Sequence, residues 1–366
     1  MLAPDILTFA DGSPVRTPED WRRRRAEVAA AVVETEFGGL PPAPAATRWE
    51  RVSISYEPRI APPGVRYLAG YVRIEGGAAP FSFGMKVWLP EPDQAKTPAP
   101  CVLCGDDGWW WLTTDMTNEA LRRGFAVATF NRCECARDIF GPRDDADPSQ
   151  RAEGIYPLFP GRYGAVAAWA WGCHRAVDAL LQIPEIDPAR IAVTGHSRGG
   201  KTALLAAATD ERIALCGDNQ SGCCGCSASR VVGEGGETLK SISRDWGQWF
   251  GPDLSSYGDR PQELPYDQHF LCSLIAPRAL RVNIGLGDLW SNPLGAWEVH
   301  KASREVWRLL GAEDALAISF REGPHRYWAD DWSRFLDFCA WRFGSGLRPL
   351  DLDRRPDWAT DFPLDS

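Results

Sequence analysis

The chain is poor in histidine. Five in 366 residues leave any mechanism that needs an imidazole to choose among His174, His196, His269, His300 and His325. Long apolar runs are missing too. No window approaches the roughly 18 consecutive apolar residues of a membrane-spanning helix, so a soluble protein without a membrane partner is expected. Residues 1–11 lack the basic start and continuous apolar stretch of a secretory signal. That gives a cytoplasmic expectation for the chain as written, and a secreted or periplasmic one if the start is trimmed. No Lys/Arg cluster with interleaved aromatics occurs and the formal net charge is −9, which makes nucleic acid a poor partner. Paired cysteine spacing of the zinc-site kind is also missing. Cys101 with Cys104 and Cys133 with Cys135 lie in apolar, strand-like surroundings, so neither a metal nor any other cofactor is expected. Eleven cysteines is an odd number, and Cys223, Cys224 and Cys226 are too crowded to pair among themselves without strain. Reduced thiols are expected.

What the chain has in quantity is aromatic and apolar surface. With 44% hydrophobic residues and seventeen Trp, it can bury a large core and still line a cleft with rings. Thr17, Pro18, Glu19 and Asp20 open a helix as cap, first-turn proline and acidic first turn, and residues 38–42, Gly-Gly-Leu-Pro-Pro, stop it. Short runs rich in Val, Ile, Tyr and Phe follow between 48 and 89, for instance 52–56 and 67–74, and predict an antiparallel start to a sheet. After a turn-prone linker at 90–100, strand-like and helix-like segments alternate, as a parallel sheet covered on both faces requires. The strands are expected at 101–104, 125–130, 191–193, 213–218, 280–284 and 315–320. A helix covers 163–182, and Ile183-Pro184 with Asp187-Pro188 marks the turn after it.

The strand at 191–193 runs into Gly195-His196-Ser197-Arg198-Gly199, and residues 201–208 form helices readily. A GxSxG sequence between a strand and a helix is a nucleophile elbow: small flanking residues permit a strained turn that pushes the serine hydroxyl out above the sheet. Helix amides left free behind it, the Arg198 N–H among them, can stabilise an oxyanion. The expected architecture is therefore an α/β-hydrolase fold: a mostly parallel central sheet with helices on both faces, antiparallel N-terminal strands and an N-terminal helical extension. One catalytic domain is expected over 1–366, with the extension at 1–47, an insertion over the active site at 219–270 and a C-terminal tail at 345–366.

An aliphatic hydroxyl is a weak nucleophile at neutral pH and needs a histidine oriented by an acid. His325 lies on a loop just after the last strand, where this fold places its general base. His174 and His300 sit in helices and His196 sits beside the serine, so each of these reads as structural. His269 is the rival, although it precedes the next strand and breaks the usual order. Asp288, past the strand at 280–284, completes the order Ser197, Asp288, His325, with Asp267 and Asp218 as fallback acids. The competing reading of Asp288 is a loop-capping carboxylate.

These motifs resemble the glucuronoyl esterases of carbohydrate esterase family 15, especially their bacterial members. The most specific element is Gly195-His196-Ser197-Arg198-Gly199-Gly200-Lys201, because that family extends the elbow with Arg after the serine and Lys four residues on. Further matches are Ser221-Gly222-Cys223, Gly236-Glu237-Thr238, residues 264–269 and 274–278, and Asp288-Leu289-Trp290. The resemblance implies hydrolysis of an ester between the carboxyl of glucuronic acid, as in xylan side chains, and an alcohol such as one from lignin. The substrate would be a small carbohydrate ester or an oligosaccharide. It also implies that the Arg198 guanidinium assists the oxyanion, that Lys201 and Glu237 meet sugar hydroxyls, and that Trp290 contacts the ring. The competing readings make Trp290 a core residue, and Lys201 and Glu237 solvated surface charges.

Two departures stand out. Gln220 occupies the position before Ser221-Gly222 where many members carry a carboxylate, and an amide cannot orient an imidazolium by charge. His196 stands where fungal members have a disulfide-forming cysteine. Other readings of the same core are an acetylxylan-type or general carboxylesterase, a serine peptidase of the prolyl-oligopeptidase kind, and a catalytically dead hydrolase fold used for binding. The sequence is silent on oligomeric state.

Overall fold

The computed structural model describes residues 2–52, 65–91, 98–109, 111–350 and 352–353. Most of the run at 52–56, most of the linker at 90–100 and most of the tail at 345–366 lie outside the described residues. Helix α1 (Pro18–Phe37) begins as its sequence dictates. The Thr17 hydroxyl accepts from the Asp20 N–H and the Asp20 carboxylate accepts from the Thr17 N–H, each at 3.1 Å, a reciprocal cap that satisfies two orphan donors. Gly38 ends the helix at φ 73°, a conformation open to glycine without a Cβ penalty.

The strands are β1 (Ala46–Val52), β2 (Arg66–Glu75), β3 (Phe81–Leu89), β4 (Ala99–Cys104), β5 (Ala126–Phe130), β6 (Ile186–His196), β7 (Leu215–Asn219), β8 (Ala279–Gly285) and β9 (Leu316–Arg321). Among the described residues they form one sheet in the order β1-β2-β3-β5-β4-β6-β7-β8-β9. β1, β2 and β3 pair antiparallel, β3 joins β5 antiparallel, and every pair from β5 to β9 is parallel. Burial tracks this change. In β2, Leu68, Val72 and Ile74 are buried while Tyr71 and Glu75 are exposed, the alternation of a sheet with one wet side. Every residue of β4, β5, β7 and β8 is buried; β4 and β5 are mainly apolar, whereas β7 and β8 also bury Asp218, Asn219, Arg281 and Asn283.

β6 is longer than the expected strand at 191–193. It begins at Ile186, breaks register with β4 between Ala99/Ile186 and Cys101/Ile191, and then pairs with β4 to Thr194 and with β7 to His196. The expected turn at Asp187-Pro188 survives as that bulge: Pro188 has no N–H for the ladder, and Asp187 Oδ1 accepts from the Ala189 N–H at 2.9 Å.

The helices are α2 (Thr114–Arg122), α3 (Ala165–Leu180), α4 (Arg198–Thr209), α5 (Leu239–Asp245), α6 (Gln268–Ser273), α7 (Pro293–Leu309) and α8 (Ala329–Arg342). α3 packs on α4, α4 on α6 and α1 on α6, while α2 pairs with α8. The residues between β7 and α6 form an excursion of α5 and short 3₁₀ turns. Its Glu237, Trp246 and Trp249 reach the C-terminal ends of the parallel strands, where ligands meet open α/β sheets. No helix among the described residues is long and apolar enough to cross a membrane.

Candidate active site

At the turn between β6 and α4, Ser197 has φ 57° and ψ −120°, a strained conformation of a kind that costs about 1–3 kcal/mol. The flanking glycines explain why it is tolerated. A Cβ on Gly195 would stand 2.2 Å from the Gly199 carbonyl oxygen, and a Cβ on Gly199 would stand 2.2 Å from a carboxylate oxygen of Asp106. The turn closes only without those atoms. Ser197 N–H donates to the Asn219 carbonyl at 2.9 Å, and its carbonyl takes the first bond of α4, from Lys201 N–H at 3.1 Å. α4 starts at Arg198, so its leading amides are not consumed by the helix ladder.

The Asp106 carboxylate lies beneath the elbow. It accepts from the His196 backbone N–H at 3.0 Å, from the Trp111 indole at 2.8 Å, and from the Arg132 guanidinium. Arg132 is fully buried, and burial lowers its pKa to about 10, which still leaves it charged at neutral pH. Neither Asp106 nor Arg132 was among the expected site residues. Asp106 follows the end of β4 and sits 90 residues from its partner. The only sequence signal for it is an acid just past a buried strand at the ligand-bearing end of the sheet.

His325 stands on the loop after β9. Its Nδ1 donates to Asp288 Oδ2 at 2.5 Å, and Asp288 follows β8 as expected. Burial pushes the Asp288 carboxyl up, but hydrogen bonds from His325 and Ser291 together outweigh it and hold the group below the ordinary carboxylate value. The Ser291 hydroxyl donates to the same Oδ2 and lies 3.2 Å from His325 Nδ1. Asp288 also takes the Ser291 N–H at 3.3 Å, so the loop-capping role and the histidine contact coexist in one carboxylate.

The rivals are placed elsewhere. His269 is buried on α6 with Nε2 at 2.9 Å from the Pro4 carbonyl. Asp267 caps α6 and accepts from the Ser229 and Arg230 amides. Asp218 is buried in β7, and burial raises its pKa to about 6. His174 contacts the Ala206 carbonyl, and His300 stacks on Trp297 in the core. His196 does more than its structural reading allowed. Its ring lies on that of His325 with centroids 4.4 Å apart, its Nδ1 meets Asn219 Oδ1 at 2.8 Å, and it lines the cleft. Burial, then the nearby His325, lowers its pKa to about 4, so it is neutral at working pH.

Ser197, Arg198 and His325 line two contiguous cavities. One is an open cleft of about 840 Å³ walled by Trp109, Trp111, Thr113, Arg326, Tyr327 and Trp328. The other is a small pocket of about 50 Å³ containing Lys201, Gln220, Glu237, Trp246, Trp249 and Trp290. Lys201 is 3% exposed and donates to the Ser221 carbonyl and, at 2.5 Å, to the Cys223 carbonyl. Glu237 is 5% exposed; burial raises its pKa despite the Lys201 charge and a hydrogen bond from Trp290. Trp290 is 50% exposed. The readings of Lys201 and Glu237 as solvated charges and of Trp290 as core are therefore both overturned. The Arg198 guanidinium pairs with Asp138 at 3.0 Å and lies over Trp246 and Trp249, 4.4 and 4.6 Å from the ring centroids.

A strained serine on a strand–helix elbow and a histidine–aspartate pair on the loops after β8 and β9 define the α/β-hydrolase class. Residues 72–311 match the family profile described as glucuronyl esterase of fungi, and the chain belongs to that glucuronoyl esterase family. A curated 4-O-methyl-glucuronoyl methylesterase of Cerrena unicolor is 29% identical over 92% of this chain and 66% of its own length. Carbohydrate esterase MZ0003, from an unknown prokaryotic organism, is 28% identical over 92% of this chain and 88% of its own. The solved structure of a carbohydrate esterase family 15 glucuronoyl esterase from Caldicellulosiruptor kristjansonii superposes with a TM-score of 0.83 at 29% identity, covering 97% of this chain and 94% of that one.

Proposed function

We propose that this protein hydrolyses esters of glucuronic acid or its 4-O-methyl ether through an acyl-enzyme on Ser197, with His325 as general base and Asp288 as its orienting acid. The observation that carries the reading is the short His325–Asp288 bond beside a strained serine, at the mouth of a polar pocket holding Lys201, Glu237 and Trp290. Because Nδ1–H is committed to Asp288, the neutral imidazole presents the Nε2 lone pair to the serine. Ser197 Oγ attacks the ester carbonyl as its proton passes to Nε2, and the resulting imidazolium is stabilised by Asp288.

The oxyanion forms against the Arg198 N–H at the start of α4, with the Arg198 guanidinium alongside. One such donor is worth about 10²–10³ in rate. The imidazolium then protonates the leaving alcohol, and water, deprotonated by His325, hydrolyses the acyl-enzyme. The small pocket takes the hydroxyl edge of the uronate ring: Lys201 is a donor, Glu237 an acceptor and Trp290 a ring contact. A general carboxylesterase would have no use for a buried Lys–Glu pair at this position.

Turnover of methyl glucuronate against an aryl acetate is the deciding assay. The uronate ester should be preferred in kcat/KM, and Ser197→Ala should abolish both activities. Preference for the acetate would return the general carboxylesterase reading, and full activity of Ser197→Ala would end the serine mechanism.

A further inference from the structure

Gln220 stands where a carboxylate is common in the family, and at first sight the chain has simply lost an acid there. Its contacts say otherwise. Gln220 is fully buried, with φ 53°. Its Oε1 accepts the Arg326 N–H at 3.0 Å and faces Arg321 Nη2 at 3.4 Å, while its Nε2 faces the Pro324 carbonyl at 3.4 Å. Pro324 and Arg326 flank His325, so one amide holds the backbone on both sides of the imidazole. The Gln220 carbonyl lies 3.3 Å from the Ser291 hydroxyl, whose single hydrogen goes to Asp288.

Arg321 completes the arrangement. Its guanidinium donates to the carbonyls of Glu322, Pro324 and Arg326 at 3.1, 3.2 and 2.5 Å, and its Nε is fixed by Asp331 at 2.8 Å. The loop bearing His325 is thereby wound around one planar cation, which a single-point ammonium could not reproduce. Gly285 leaves room for it: a Cβ there would stand 2.4 Å from Gln220 Nε2 and 3.1 Å from Arg321 Nη1.

We infer that Gln220, acting with Arg321, is a positioning residue that sets the His325 loop against Asp288, and that the amide is required because it must accept from Arg326 and donate toward Pro324 at once. A carboxylate supplies only acceptors and would turn a lone pair toward the Pro324 carbonyl. The inference rests on the reading of His325 as general base. It predicts that restoring an acid at this position harms the enzyme.

The test uses the full chain with Gln220→Glu, Gln220→Met and Arg321→Lys, reading kcat and KM on methyl glucuronate together with the low-field proton NMR resonance of His325 Nδ1–H. A histidine displaced by about 1 Å costs on the order of 100-fold. Gln220→Met should therefore lose about 100-fold in kcat with KM held within about twofold, and its low-field resonance should broaden or vanish. Gln220→Glu should lose at least about tenfold in kcat, and Arg321→Lys should follow the same pattern, which keeps the test open if Gln220→Met fails to fold. A Gln220→Glu variant as fast as wild type or faster would overturn the inference, as would an unchanged resonance in all three folded variants. The resonance needs no turnover. A wild type that does not cleave methyl glucuronate, yet whose resonance still answers to Gln220, would reject the functional reading and leave the positioning role standing.

Discussion

Replacing Asp288 with Asn is the sharpest test of the charge assignment, because it changes one atom in a contact of 2.5 Å. Asp288 Oδ2 serves both His325 Nδ1 and the Ser291 hydroxyl, while Oδ1 takes the Ser291 N–H. An asparagine must choose. If its oxygen takes the Oδ2 place, the imidazole keeps its orientation, the NH₂ faces the Ser291 N–H donor to donor, and the charge opposite the imidazolium is gone. If it flips, the NH₂ points at Nδ1 and forces the Nε2–H tautomer, which cannot accept the serine proton.

The first arrangement forfeits a charge pair worth about 4 kcal/mol at an effective dielectric of 20, or about 10³ in rate at 1.36 kcal/mol per tenfold. The second approaches the roughly 10⁴ loss seen when a triad aspartate becomes Asn in a serine protease. Both predict kcat down by about 10³–10⁴ with KM within about threefold. The side chain is isosteric and Asp288 is buried, so a melting temperature within about 4 °C of wild type separates a chemical loss from an unfolded one. The measurement is steady-state hydrolysis of methyl glucuronate at pH 7.5. A loss under about tenfold would refute the reasoning, because it would mean that the imidazolium draws its stabilisation from another group.

Lys201→Ala should lower kcat/KM for methyl glucuronate by about 100-fold and for an aryl acetate by less than about fivefold; equal losses would reject a role in sugar recognition. Gly199→Ala forces a Cβ to within 2.2 Å of a carboxylate pinned by three donors, and by overpacking should cost about 3 kcal/mol and some 5 °C in calorimetry. Trp290→Ala should raise KM for the uronate ester about fivefold while leaving kcat within about threefold, in the same steady-state assay. Burial raises Glu36 to about 7 from an ordinary 4.5, so the stability it contributes is full below pH 4.5 and lost as pH rises through 7. Glu36→Gln should therefore gain roughly 2–3 kcal/mol over wild type between pH 5 and pH 8 in urea titrations, and a constant offset across that window would refute the burial argument.

The elbow was legible because its determinants are local: a buried strand, glycines where a Cβ cannot fit, and helix-forming residues behind them. Asp288 and His325 were reachable through chain order, since parallel strands deliver their loops to one end of the sheet. Lys201 lies one helical turn past Ser197, and periodicity placed it on the correct face, but periodicity could not show that its ammonium is buried and tied to the Ser221 and Cys223 carbonyls. Asp106, Asp138 and Arg132 were invisible for a different reason. Arg132 pairs with Asp106 across 26 residues and Arg198 with Asp138 across 60, and nothing in the spacing of a lone Asp or Arg announces a tertiary ion pair. His196 reads as structural from its place beside the serine; its contact with the His325 ring, 129 positions further on, is known only once the sheet is assembled.

Those distant charges bear on why an arginine follows the nucleophile. Arg198 and Arg132 both approach Asp138, at 3.0 and 3.8 Å, and Arg132 also holds Asp106, whose other oxygen takes the amide of His196. Two cations and two carboxylates thus balance in a region where an unpaired charge would cost several kcal/mol. The Trp249 indole donates to Asp138 at 2.9 Å and its ring lies against the Arg198 guanidinium. A lysine could carry the charge at position 198, but it has no planar face to lie against Trp246 and Trp249. The guanidinium is thus immobilised before substrate arrives, which is the condition under which a cation near a developing oxyanion lowers the barrier without paying reorganisation at the moment of reaction. The same pairing ties its position to the elbow, so that whatever displaces Asp106 displaces the serine and the cation together.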